Sequence, residues 1–361
     1  MAEKDSKQLK TKKKPTSGLK KVIRYIAGIA FVAILAIWGK STYLFRIEGR
    51  RNNVNMRDFS DLSLIVLAAI GHYLLDVLIT KSITGWITRR VMRSNIKRKE
   101  YKIKRSIKQF KSFLVYTIGF FVGLYGTWGY SGVPRHAGGT QKTCWNIFCR
   151  NWPRTQQSPR LRIYIIIESG YHLKSLVYYG IFMRNDRGYF EMMTHHVCTC
   201  LAMVYSYLVN LEDFTAYVML MSNVADIFFN LGRFFRDAAY GEFLTMTTYA
   251  FIVVLWFVSR LYLLPVCFYQ ATRPAYVKDV PYDPFDEELV QMWRDSKVGM
   301  HLVIISIWII TVLNVFWFYL IVSAGVKRLL GVDHDKCDQY YQKGELKDGE
   351  KGKQVKKVKV D

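Results

Sequence analysis

The sequence is short of histidine, cysteine and acid, and each shortage closes off a class of chemistry. There are seven histidines in 361 residues, and His136 and His334 fall in stretches read as loops. That leaves too few to fill the paired HxxxH and HxxHH boxes of a di-iron desaturase or hydroxylase. An elongase-type HxxHH box is excluded as well, because Met192 stands three residues before His195. The six cysteines make no metal framework: Cys198 and Cys200 share one apolar run. Cys144 and Cys149 share the segment "TCWNIFCRNW", where a disulfide and two free thiols both stay open. Zinc wants three or four convergent ligands. No third histidine or cysteine is expected at the depth of His195 and His196, so no metal is expected.

Acid is outnumbered, with 28 Asp and Glu against 52 Lys and Arg and a net charge of +24. A surplus of that size points to nucleic acid only if it is not already explained by topology, and here it is. Apolar residues gather into blocks of roughly the 20 residues that span a bilayer: 22–38, 62–80, 112–130, 161–183, 190–209, 214–232, 244–268 and 299–324. The expected fold class is therefore an all-α polytopic membrane protein with eight transmembrane helices. No small-residue cleavage site follows the first block, so it is read as a retained anchor. With both termini cytosolic, the cytosolic segments carry 34 Lys and Arg and the opposite loops 14, the asymmetry of the positive-inside rule. No nucleic-acid partner is expected. The basic stretch 93–111 is also open to reading as an interfacial helix on anionic headgroups.

The polar residues inside the blocks carry the chemistry. "EMMTHHVCTC" places His195 and His196 side by side within an apolar run, and ionisable groups at membrane depth are costly unless paired or functional. The fifth and sixth blocks are joined by "NLED", so they are antiparallel neighbours. Equal distances from that turn bring Asp226 to the depth of the histidine pair at about 1.5 Å per residue. On the sixth block Asn223, Asp226 and Asn230 share one helical face; on the fourth, Glu168, Tyr171, His172 and Ser175 do. Both stripes are expected to face the bundle interior. His172 and Lys174 taken singly read as interhelical contacts. His72 and Asp76 read as packing or headgroup contacts, and Arg260 as a snorkelling residue. A carboxylate beside an imidazole fixes its tautomer and stabilises the imidazolium. This suits acyl transfer from a thioester to an amine, with Asp226 set to orient the histidines.

These residues resemble a known family. "ESGYHLKSLVYY", "FMRNDRGYFEMMTHH", "NVADIFFNLGRFF" and "FIVVLWFVSRLYLLP" are similar to the Lag1 motif and TLC domain of ceramide synthases, of the yeast-like kind without a homeobox. The resemblance implies a six-helix TLC bundle over residues 105–330, preceded by two N-terminal helices within 22–104. Basic tails over 1–21 and 331–361 flank them, both cytosolic. It implies an endoplasmic-reticulum enzyme that N-acylates a sphingoid long-chain base with acyl-CoA as substrate and no cofactor; a catalytically silent TLC paralogue that partners or regulates an active synthase and a TRAM-like structural membrane protein stay open as alternatives. Lipids would surround it, and its partners would be a second synthase subunit, identical or not, and a small regulatory subunit. The last five residues, "KVKVD", fit a dilysine retrieval signal. His195 is the expected nucleophile, His196 and Asp226 the orienting groups. Ser222, Asn223, Asn230, Glu168, Tyr171 and His172 would support the site. Where the family reads HDxxD, this chain reads Ser222-Asn223-Val224-Ala225-Asp226, which loses one acid. The substitution Asn223→Asp, which restores that acid, is expected to be tolerated.

Overall fold

Ten helical segments account for nearly all of the described residues: α1 (Ser17–Arg51), α2 (Asp61–Arg93), α3 (Lys99–Thr127), α4 (Pro159–Phe182), α5 (Tyr189–Leu208), α6 (Glu212–Asp237), α7 (Glu242–Trp256), a π-helical stretch (Phe257–Leu263), α8 (Leu264–Thr272) and α9 (Glu287–Leu329). The computed structural model describes residues 17–51, 53–95, 98–128, 152, 158–184, 188–272 and 287–331. His136, the Cys144 and Cys149 segment, His334 and the dilysine tail lie outside the described residues. No strand occurs among the described ones.

Local signals explain where the helices start and stop. Ser158 caps α4 by accepting from Leu161 N at 3.4 Å, with Pro159 in the first turn, where its missing N–H is not needed. After α5, Asn210 adopts φ 63° and Leu211 N bonds back to Ser206 O at 2.7 Å. That reversal makes α5 and α6 antiparallel, but not the packing neighbours expected from the short turn: α6 packs mainly on α3 and α7, and α5 mainly on α4 and α9. The basic stretch 93–111 is not a separate interfacial helix. From Lys99 it is the first part of α3, continuous with the apolar part, and Arg105 Nε reaches Asp237 Oδ2 at 2.9 Å.

Helix α3 packs on α6, α6 on α7, the π stretch on α9, α9 on α5, α5 on α4, and α4 back on α3, which closes a ring. Helix α2 lies against α3 and α4, and α1 against α9 and α5. Close approach needs small residues: a Cβ on Gly170 would sit 2.8 Å from the backbone nitrogen of Ala69. Two polar clusters pin opposite ends. At one, Arg57 holds Glu212 (Nη2 to Oε2 2.5 Å) and Arg162 holds Asp61 (Nε to Oδ2 3.0 Å), with Tyr207 donating to Asp61. Burial alone would lower the Arg57 guanidinium, but pairing with Glu212 leaves it raised above its ordinary value. At the other end Arg90 donates to Ala238 O at 3.1 Å and covers the Tyr240 ring.

The outer surface is apolar. Along α2, Leu64, Leu67, Ile70, Leu74 and Leu78 are exposed, and along α9 so are Val312, Val315 and Tyr319. A patch of this extent marks a surface made for lipid rather than water. Among the described residues, five helices are long and apolar enough to cross a membrane: Asp61–Arg93, Lys99–Thr127, Glu212–Asp237, Glu242–Tyr269 and Val298–Leu329. The chain is a multi-pass membrane protein. Helices α4 and α5 are less apolar than that standard because they carry the ionisable stripes, and these face the ring interior.

Candidate functional site

The α4 stripe points inward as expected, with Glu168, Ser169, Tyr171, His172 and Ser175 all buried. On α5, His196 is buried and His195 half-buried. Against expectation, a third histidine reaches the pair. His172, His195 and His196 each present a ring nitrogen, and the three lie within 4.8 Å of one another. Counting depth from the α5–α6 turn could not reveal this, because that count leaves out α4, the helix that packs against α5 and carries His172. The Tyr179 ring stacks beside His196 at 5.1 Å, and Trp317 of α9 meets His195 edge-on at 5.3 Å.

Asp226 does not orient the histidines. Its Oδ2 accepts from Arg260 Nη2 at 2.5 Å, while His195 Nδ1, His172 Nδ1 and both ring nitrogens of His196 have no hydrogen-bond partner. A guanidinium makes a stronger charge-assisted bond to carboxylate than a neutral ring can, and it wins the competition. Arg260 is therefore no snorkelling residue. It is 5% exposed, lies on the π-helical stretch, and also donates to Asn314 Oδ1 at 3.1 Å and to the Ser222 carbonyl at 3.0 Å. Its guanidinium carbon lies 4.3 Å from the centre of the Trp256 ring. Single-turn π insertions widen a helix and recur at functional sites. The sequence signal was present: a lone arginine inside "FIVVLWFVSRLYLLP" is a functional candidate by default at membrane depth.

The remaining stripe residues divide. Asn223 donates to the buried Glu168 carboxylate, Nδ2 to Oε1 2.9 Å, so the amide at this position serves an acid from α4. An added carboxylate at position 223 would face the Glu168 carboxylate, which argues against the expectation that Asn223→Asp is tolerated. Asn230 donates to its own helix at Asp226 O, 2.8 Å away, and Ser222 enters only through its backbone carbonyl. Tyr171 packs between His72 and Tyr116, with ring centres 5.6 and 5.3 Å away. His72 does have a partner, Ile167 O at 3.1 Å, and Asp76 pairs with Lys174 at 2.9 Å. Neither is left for headgroups, and Lys174 is the interhelical contact it was read to be.

The ring, the inward histidines and the Arg260–Asp226 pair together span α3 to α9. Residues 99–323 match the family model TRAM_LAG1_CLN8, the TLC domain. The chain belongs to the TLC-domain family. Its curated relatives include ceramide synthase hyl-2 of Caenorhabditis elegans, 24% identical over 271 residues, 73% of this chain and 76% of hyl-2. Ceramide synthase hyl-1 of the same organism is 22% identical over 238 residues, 64% of this chain and 59% of hyl-1. Ceramide synthase LOH2 of Arabidopsis thaliana is 22% identical over 184 residues, 51% of this chain and 58% of LOH2. The chain thus aligns with less than two thirds of LOH2 and hyl-1.

Proposed function

We propose that this TLC protein is a ceramide synthase, which N-acylates a sphingoid long-chain base with acyl-CoA. The observation that carries the reading is a histidine pair with uncommitted nitrogens, enclosed in a ring of helices whose relatives bear that name. His195 is half-buried where His172 and His196 are buried, so it is the most reachable of the three and is assigned as nucleophile. Its nitrogen attacks the thioester carbonyl, the carbon–sulfur bond breaks, and the CoA thiolate leaves with the proton of the acyl-imidazolium. The amine of the base then attacks the acyl-imidazole. The amide bond forms, the acyl–histidine bond breaks, and the amine proton returns to the imidazole. Among the described residues no carboxylate bonds to the histidines, so Asp226 acts at a distance by holding Arg260 in the ring.

The reading also takes all eight helical rods as membrane spans and sets the protein in the endoplasmic-reticulum membrane with both termini cytosolic. It acts without a cofactor and in complex with a second synthase subunit or a small regulatory one. The full chain, purified in detergent with defined acyl-CoA and sphingoid base, should form N-acyl product. His195→Ala and His196→Ala, each monodisperse, should form none. Near wild-type turnover in either variant removes that histidine from the mechanism. A second reading, a silent relative that regulates an active synthase, draws on the Asp226 carboxylate being tied to Arg260. Failure of the parent chain to turn over any acyl-CoA and base pair selects it.

A further inference from the structure

The three histidines meet the requirements of a metal site better than those of a proton relay. We propose that His172, His195 and His196 form a binding site for a zinc-class divalent cation, and that the cation blocks the site by taking the nitrogens that acyl transfer needs. Three independent features converge. The donors come from two helices, His172 on α4 and the pair on α5, so they approach a common point from different directions, as a tripod must. Their nitrogens lie within 4.8 Å of one another, against about 3.3 Å between ligands of a tetrahedral site with bonds of about 2.0–2.1 Å. A contraction of about 1.5 Å by ring rotation closes the gap. The nitrogens are also free: His172 Nδ1, His195 Nδ1 and both nitrogens of His196 make no hydrogen bond, and His172 and His196 are 6% and 4% exposed. Buried polar atoms are almost always satisfied, and four orphaned ring nitrogens in one cluster need an explanation.

The chemistry of the donors selects the ion. Imidazole alone, with no carboxylate among the three, suits zinc, copper, nickel or cobalt, whereas magnesium and calcium want oxygen. Two of the nearby cations have a counter-ion, Arg260 held by Asp226 at 2.5 Å and Lys174 by Asp76 at 2.9 Å, and Lys108 lies over the Tyr179 ring, 5.5 Å from its centre. Three ligands leave the fourth position open to water. A nitrogen that coordinates a metal has no lone pair for a thioester, so loading and nucleophilic catalysis exclude each other. That consequence for turnover rests on the ceramide synthase reading; binding itself does not.

The test is metal binding by the full chain in detergent, stripped with chelator and then titrated with cobalt(II) and zinc(II). Cobalt should bind at one ion per chain with the visible absorption of a tetrahedral nitrogen site, and zinc should displace it. His172→Phe, and His172→Gln as the more conservative change, should each weaken binding by more than about a hundredfold, since even changes behind the ligands cost about 10–100-fold. His301→Gln and the double change Cys198→Ser with Cys200→Ser should leave it intact. Where the parent chain forms N-acyl product, zinc should inhibit it reversibly and chelator should restore it. A stripped, monodisperse chain that takes up no cobalt or zinc at micromolar free ion overturns the proposal. So does binding that survives His172→Gln. An inactive chain that still binds cobalt overturns the enzymatic reading and leaves the site standing.

Discussion

Replacing Arg260 by leucine isolates the electrostatics at the centre of the ring. The side chain is 6% exposed and its carboxylate partner on Asp226 is 18% exposed, so removing the guanidinium strands a largely buried negative charge. Breaking a buried pair from one side costs about 3–5 kcal/mol. Asn314 Oδ1 and the Ser222 carbonyl lose a donor at the same time, worth about 1 kcal/mol each where no substitute is found. Because the losses overlap, about 4 kcal/mol is the expected total for Arg260→Leu. Asp226→Asn keeps the shape and removes the charge, and Arg260 retains Asn314, Ser222 and the Trp256 ring, so about 2 kcal/mol is expected. The double variant Arg260→Leu with Asp226→Asn buries no charge, and should be no less stable than Arg260→Leu alone. Unfolding in mixed micelles of rising SDS fraction, followed by tryptophan fluorescence, measures all four corners of the cycle. Additive costs, with the double variant losing about 6 kcal/mol, would show that the two groups are not coupled and would refute the assignment of Asp226 to Arg260.

Other expectations follow from single contacts. Asn223→Leu removes the donor to Glu168 and should cost about 1–3 kcal/mol; Asn223→Asp should destabilise rather than enhance, and full stability with raised turnover would contradict the Glu168 contact. Arg57→Ala leaves Glu212 buried without its partner and should cost about 3–5 kcal/mol. Its surviving folded fraction should keep the metal titration unchanged, because the clamp is at the opposite end of the bundle. Gly170→Val should separate α2 from α4 and lower stability by at least about 1–3 kcal/mol, read in the same micelle titration. In sealed microsomes, a membrane-impermeant thiol reagent should label a cysteine introduced within 89–111 from the cytosolic face and leave Cys144 protected; labelling of both from one side would defeat the eight-span topology.

Much of the architecture is written in the order of residues. Apolar blocks of bilayer length dictate helices because a backbone in lipid must satisfy its own hydrogen bonds, and each block lies in a helix to within a few residues. The four residues of "NLED" force α5 and α6 to run antiparallel, and the i, i+3, i+4, i+7 spacing of Glu168, Tyr171, His172 and Ser175 commits them to one inward face. These are local properties, set by rise and turn along a single helix. Which polar group meets which is not local. His172 joins His195 and His196, Glu168 meets Asn223, and Arg260 takes Asp226 away from the histidines, each across two different helices. Depth counting orders such groups along the membrane normal but says nothing of their angle around the ring. That angle is decided by helix rotation, by glycines such as Gly170 that let neighbours close, and by the π stretch that turns Arg260 inward. The sequence named the candidate residues; their partners were set only when six helices closed on one another, because a guanidinium binds a carboxylate more strongly than a neutral imidazole can.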